Sequence, residues 1–447
     1  MGLLIGVGGT KPQFAYDYYY GIEWDITVSN PKPTRIGKME LHKELPLQSL
    51  MRRCILKDDG KVNYYLHAND STKRDNGAAA DLTGKDGQYM VELPNMYVRF
   101  EMDGNKCRHL QSTQPLPGFH LWRKDYVSAV EATVQRSTSK LAAVCSMDAD
   151  YRGGNNDASR DGTAKTQLGM PATAISLTNF RAYARKRGTT EWNCNLYHTH
   201  RKLWWLFAVE YCTFNSQDAF NAELDESGYH QGGLSAGVTT LNSTKWSSFN
   251  GYYPVIPCGT TNSLGNHTGV VEYTMPTEYN AVPFKVNVPS YRGVENLFGH
   301  LWKWTDGCKC LIQSEADGGL SEFYVCDDPA SFTSSGVANY KLRGNLPRKE
   351  GYVKILILGE DGEIMPLEVG AGSTTYFCDY FYTSIPGSGV SERGVLFGGA
   401  AHHGASAGFV YANAYPAATY ANAYIGSRLC FFPQIEQIEQ IEMASTR

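Results

Sequence analysis

The chain has 447 residues, 42% hydrophobic and 19% charged, enough for two or three domains with a substantial core. A formal net charge of −4 argues against nonspecific nucleic-acid binding, and no apolar run approaches the length of a membrane span. Aromatic content of 12%, including 29 tyrosines, favours β-structure and a contact surface over a helical bundle.

The opening MGLLIGVGGTKPQF lacks a basic flank, an adequate apolar region and a clear cleavage site, so it reads as mature sequence rather than a signal peptide. From Tyr16 to about Val144 short β-like runs alternate with turns. GIEWDITV from Gly21, VNYYL from Val62, QYMVEL from Gln88 and YVRFEM from Tyr97 are rich in β-branched and aromatic residues. Asp58-Asp59-Gly60, Lys85-Asp86-Gly87 and Asp103-Gly104-Asn105 supply the turns. Residues 1–146 are therefore expected to form a mainly β attachment or oligomerisation domain. Residues 147–169 are polar, Gly-rich and aperiodic, and read as a linker. Asp148, Asp150, Asp157 and Asp161 lack the spacing of a calcium loop.

Two helices are expected next. Thr178 is placed to cap one that runs to Arg187, with basic residues in its last turn and Gly188 beyond. A second fits Arg201 to Thr213, where Leu203, Leu206, Phe207 and Tyr211 share a face and Trp204 and Trp205 pack. Residues 215–290 read as elaborated loops. Trp302 and Trp304 then alternate as in a strand with one buried face, ended by an Asp306-Gly307 turn. Further strands are expected over 322–326, 353–358 and 375–382. The eleven scattered cysteines suit reduced, buried thiols of cytosolic synthesis, and Cys308-Lys309-Cys310 reads as structural rather than as a zinc pair.

From Phe397 to Ser427 there is no Lys, Arg, Asp, Glu, Gln, Met or Trp. Tyr411-Ala-Asn-Ala-Tyr415 recurs as Tyr420-Ala-Asn-Ala-Tyr424, so large side chains stand on a frame of Ala and Gly. Tyr, Ser, Asn and Gly are the residues that binding loops favour, because Tyr offers a large amphipathic area for the loss of two rotatable bonds. The competing reading is a loose low-complexity edge, against which Leu429 to Phe432 reads as a buried closing strand.

Three pieces in this order resemble a known family. Thr173-Ala-Ile-Ser-Leu-Thr-Asn-Phe-Arg-Ala-Tyr-Ala-Arg with the aromatic second helix resembles the paired helices of C-type lectin folds of the formylglycine-generating-enzyme type. Asn296-Leu-Phe-Gly-His-Leu-Trp-Lys-Trp-Thr-Asp-Gly307 is similar to that family's Gly-Asn-Val-Trp-Glu-Trp strand. Gly394-Val-Leu-Phe-Gly-Gly399 with Ile425-Gly-Ser-Arg-Leu429 is similar to its closing Arg-Gly-Gly and Gly-Phe-Arg elements. The fold class so implied is α+β, a C-type lectin domain over 170–433 preceded by the mainly β N-terminal domain.

Within that fold the closing segment resembles the variable region of proteins diversified by retroelements, especially those of phages of gut bacteria. Adenine-directed mutagenesis of AAY codons yields NNY codons, which encode neither Lys, Glu, Gln, Met nor Trp. The resemblance thus implies a variable region at 397–428, with Ala400, His402, His403, Ser406, Tyr411, Asn413, Tyr415, Tyr420, Asn422 and Tyr424 as candidate variable, ligand-binding positions. Trp302, Trp304, Gly398, Gly399, Ile425, Gly426 and Arg428 would be fixed scaffold. The implied protein is a hypervariable display protein, most simply a phage receptor-binding tail-tip protein, found in the virion after cytoplasmic synthesis. Its expected partners are a host-surface protein or glycan, other tail proteins and copies of itself, most simply in a trimer, since avidity compensates for weak single sites. Neither nucleic acid nor membrane insertion is expected.

A bacterial surface adhesin of the same fold is the alternative. An oxidase of the formylglycine-generating type is the other, but the resemblance then demands a cysteine pair near the Gly-Gly segment, where only Cys430 stands. No catalytic residue, cofactor or metal is expected. Neighbouring His402 and His403 would point to opposite faces of a strand. Asp306 with Glu295, or His198 with His200 and Cys194, lacks a nucleophile motif. The N-x-S/T sites at Asn69, Asn242 and Asn266 matter only in a eukaryotic secretory route. The tail QIEQIEQIEMASTR at 434–447 carries Ile every third residue, a slanted apolar stripe for a neighbouring subunit.

Overall fold

The computed structural model describes residues 16–28, 30–241, 256–276, 284–374, 377 and 379–433. The tail, the N-terminal apolar run and Asn242 lie outside the described residues. The described residues are mostly β with few helices, so the helical part of the expected α+β class is small. Among the described residues there are only three α-helices, Met39–Glu44, Leu177–Arg185 and Tyr197–Tyr211. Both expected helices are present, but they are inserts among strands.

The first helix starts two residues early because Ser176, not Thr178, is the cap: its hydroxyl accepts from the Asn179 amide at 3.3 Å. Thr178 instead donates to Ser334 Oγ at 3.2 Å. The second helix begins at Tyr197 and is buried at every residue but His198. It is a central helix with no solvent face, so a one-sided periodicity underestimates it. Trp205 stacks on Trp24 of the N-terminal segment with centroids 5.9 Å apart, and its indole N–H donates to the Gly362 carbonyl at 2.8 Å.

A five-stranded sheet holds Tyr20–Asp25 between Thr34–Gly37 and Lys106–Ser112, with Met96–Asp103 and His120–Trp122 beyond. A seven-stranded sheet draws on both parts of the chain. Its strand Leu429–Phe431 pairs with Asp125–Ser128 on one side (Tyr126 opposite Phe431) and with Trp192–Cys194 on the other (Trp192 opposite Phe431). Residues of 1–146 and 170–433 thus contribute to one sheet and to one continuous buried core.

The expected linker at 147–169 is folded irregular structure. Asp148 and Asp157 cap the single turns Ala149–Tyr151 and Ala158–Arg160, and Asp161 accepts from Arg152 Nε at 2.9 Å. Its polar side chains satisfy their own backbone. The loops expected over 215–290 include an antiparallel pair, Gly269–Met275 with Phe284–Tyr291.

A nine-stranded sheet carries the C-terminal part, ordered through Lys341–Asn345, Ser321–Val325, Trp302–Gln313, Val390–Gly398, Gly408–Asn413, Tyr380–Tyr382, Gly351–Leu358 and Glu363–Ala371, with the ninth strand, Ile425–Gly426, beside Trp302–Gln313 off this path. It curls until its ends nearly close: a Cβ on Gly344 would stand 3.0 Å from Ile357, and Arg343 reaches Glu363 at 3.3 Å. Trp302–Gln313 does not turn at Asp306-Gly307. The pair sits in a register shift inside the strand, where Asp306 takes a bidentate bond from Arg181 of the first helix at 2.5 and 2.8 Å. Every residue from Trp302 to Cys310 is buried, so both faces of the strand are covered, where the sequence pattern predicts one; Trp302 and Trp304, two residues apart, share one of them.

Candidate binding surface

The segment 397–428 is clamped at both ends onto the strand that begins at Trp302. At its start Gly299 donates to the Gly398 carbonyl at 2.9 Å, and Ala401 donates to the His300 carbonyl at 3.0 Å. At its end Ile425 and Gly426 pair in parallel with Trp302 and Lys303, and Ser427 Oγ donates to the Trp304 carbonyl at 2.8 Å. Gly398 and Gly399 have φ of +98° and +75°, and a Cβ on Gly399 would press on the Tyr411 ring at 2.9 Å.

Beneath the clamp lies a buried charged cluster. Arg428 donates to the carbonyls of Ser128 and Glu295, while Glu131 accepts from His300 Nδ1 and meets Lys303 Nζ at 3.1 Å. Burial pushes the Glu131 carboxyl up, but His300 and Lys303 beside it outweigh the burial and hold the pKa at about 2. Burial brings Lys303 down to about 8 against the pull of Glu131. Glu131, His300 and Lys303 pair with one another inside the fold, and Arg428 is spent on backbone carbonyls.

Above the cluster the strand Gly408–Asn413 runs between Val390–Gly398 and Tyr380–Tyr382, with Ala412 opposite both Phe397 and Phe381. Ala412 and Ala414 are buried, so Tyr411, Asn413 and Tyr415 take the other face. This is the physical origin of the alternating large and small residues. Tyr415, 47% exposed, meets Tyr382 edge to face at 5.9 Å, with the Arg393 guanidinium 5.3 Å from its ring. Tyr411 points the same way but is covered, packing on Trp302 at 4.5 Å, His403 at 5.3 Å and Tyr380 at 6.0 Å.

The remaining candidates lie on flanking turns. His402 and His403 meet ring to ring at 4.2 Å, because the chain here is a turn and not a strand. His403 Nδ1 accepts from the Ala400 amide at 2.9 Å. Burial lowers His402 to about 4 and His403 to about 3, the neighbouring imidazole adding to the second, so both are neutral at pH 7. Ser406 Oγ lies 3.3 Å from the Tyr352 hydroxyl. Tyr420 and Tyr424 hydroxyls approach to 3.3 Å, and Asn422 donates to Tyr420 at 3.0 Å.

Two of the ten candidate positions do not present a side chain to solvent. Ala400 is fully enclosed, and Tyr411 retains 4% exposure under three rings. Of the other eight, Tyr415 and Tyr420 are exposed and six are half-buried. Three residues of the same face escape local sequence reading: Tyr352, Tyr380 and Tyr382. The Tyr380-Phe381-Tyr382 alternation marks a strand with one outward face, but nothing local shows that it lies beside residues 411–413.

No protein-family model matches the chain, and no curated protein matches it. Among solved structures it is similar to the Major Tropism Determinant M1 variant, at 12% identity and a TM-score of 0.21, over 76% of this chain and 73% of that one. It is also similar to the Major Tropism Determinant U1 variant, at 11% identity and a TM-score of 0.21, over 79% of this chain and 83% of that one.

The residues considered for catalysis serve other ends. Glu295 accepts from the Gly259 amide and from the amide and hydroxyl of Thr261 at 2.6 to 3.0 Å, whereas Asp306 is taken by Arg181. His200, brought down to about 4 by burial, is neutral at pH 7, and its Nε2 donates to the Phe409 carbonyl at 2.7 Å. The Cys430 thiol is fully buried, which pushes it up to about 12. Cys308 and Cys310 point into the core, while Lys309 reaches Glu392 at 2.6 Å.

Proposed function

We propose that the chain is a ligand-binding display protein whose C-terminal part is a C-type lectin domain of the formylglycine-generating-enzyme type, diversified by a retroelement at 397–428. In this reading it is a phage receptor-binding protein of the tail tip. It acts as a homo-oligomer, most simply a trimer, that attaches to other tail proteins through residues 1–146 and binds a receptor on the host-cell surface.

One observation carries the reading: eight candidate positions stand solvent-accessible around one strand and its flanking turns, over alanines and glycines fixed by a buried charged cluster. A frame held from below tolerates replacement of what stands on it. Burial at Ala400 and Tyr411 narrows the variable set to His402, His403, Ser406, Asn413, Tyr415, Tyr420, Asn422 and Tyr424.

The test exchanges these eight residues together for a second set and measures which bacterial strains the purified full-length protein binds. A changed strain preference is expected. Unchanged preference, or binding that follows residues 1–146, would overturn the assignment. A reverse-transcriptase gene beside a near-copy of the coding segment is the expected genomic companion.

A further inference from the structure

We infer that Tyr352, Tyr380 and Tyr382 form a constant half of the binding surface, and that its ligand is a neutral surface polysaccharide whose sugar rings lie on these tyrosines. The inference rests on the display reading and deepens it.

The rings form a continuous run. Tyr352 meets Tyr380 at 5.1 Å, Tyr380 meets Tyr411 at 6.0 Å, Tyr411 meets His403 at 5.3 Å, and the histidine pair leads to Tyr424 at 5.8 Å. Tyr382, 37% exposed, extends the face beside Tyr415. Tyr352, Tyr380 and Tyr382 lie outside 397–428, on strands pinned by the sheet, so they stay while their neighbours change. Every ligand taken by any variant would meet them.

Charge selects the ligand class. Residues 397–427 contain no charged side chain, and both histidines are held neutral. Arg393, over the Tyr415 ring, and Glu350, whose charge is felt at Tyr380 and Tyr411, flank the tyrosines. About a quarter to a third of a protein's surface residues are charged. A protein ligand would therefore bring several charges to a face with few counter-charges, each costing desolvation. A neutral sugar chain brings hydroxyls, which the Tyr, Asn and Ser groups pair both as donors and acceptors, and flat C–H faces for the rings. The rings left accessible on either side of covered Tyr411 suit repeated weak contacts along a polymer, which an oligomer multiplies.

The test uses full-length protein, host cells and neutral polysaccharide purified from a strain it binds. Tyr382→Ala, at an exposed position, is expected to weaken binding about tenfold, both in the parent and in the chain carrying the eight exchanged residues. Periodate oxidation of the cells should abolish binding and protease treatment should leave it. Binding lost to protease but resistant to periodate would make the ligand a protein and overturn this inference while leaving the display reading intact. A Tyr382→Ala effect below about twofold would remove the tyrosines from the surface. If the eight-residue exchange leaves strain preference unchanged, the display reading fails and this inference with it.

Discussion

Arg428 donates from Nη1 to the carbonyl oxygen of Ser128 at 2.9 Å, across 300 residues of chain. One bond joins the end of the candidate variable segment to a strand of the N-terminal part, and a second holds the Glu295 carbonyl. Arg428→Met keeps the bulk but leaves two buried carbonyls unpaired and takes a positive charge from the surroundings of Glu131. The expected loss is about 3–5 kcal/mol in urea unfolding, the usual result of removing one partner from a buried charged network.

Tyr411 and Tyr415 occupy equivalent places in the Tyr-Ala-Asn-Ala-Tyr repeat but different environments. Tyr411→Ala opens a cavity under Trp302, His403 and Tyr380 and is expected to cost about 3–5 kcal/mol. Tyr415→Ala, at a side chain 47% exposed, should stay within about 0.5 kcal/mol. Thermal and urea melts of the two variants separate frame from display directly.

Gly408 faces the buried carboxyl group of Asp379, where a Cβ would lie 1.6 Å from Oδ1, while Oδ2 accepts from the Val410 amide at 2.9 Å. Gly408→Ala must displace that carboxyl group, and a loss of about 3 kcal/mol or more is expected. Gly404 has φ of +54° with nothing within 4 Å of an added Cβ. Gly404→Ala should therefore cost only the backbone term, about 1 kcal/mol. Equal losses at the two sites would show that the Asp379 contact does not constrain this strand.

The local elements were legible where periodicity is local. Gln88–Leu93 falls on its expected bounds, and the strand at 97–102 lies within one residue of them, because β-branched and aromatic runs end at Asp-Gly turns. Thr178 misled because Ser176, two residues earlier, offers an equivalent hydroxyl, and tertiary packing chose between them. Asp306-Gly307 has the chemistry of a turn, but Arg181, 125 residues upstream, binds the carboxylate and keeps the strand going. At the surface, the Ala and Gly frame was readable from alternation alone. The burial of Ala400 and Tyr411, and the presence of Tyr352, Tyr380 and Tyr382, depend on which strands pair, a non-local choice the repeat does not encode.

Acid should weaken the fold through its buried neutral histidines, and His200 is the clearest case. Its pKa lies at about 4 in the folded chain against 6.5 for an unperturbed imidazole. Above pH 6.5 neither state holds the proton and His200 contributes no pH dependence. Between pH 6.5 and 4 only the unfolded chain takes it up, so stability falls with pH across that window and levels off below it. The full loss from this one group is about 3 kcal/mol. His200→Gln retains a donor for the Phe409 carbonyl and does not titrate. Urea midpoints at pH 7 and pH 4.5 should therefore differ less for the variant than for the parent. Identical drops in the two proteins would mean that His200 is not kept neutral by burial.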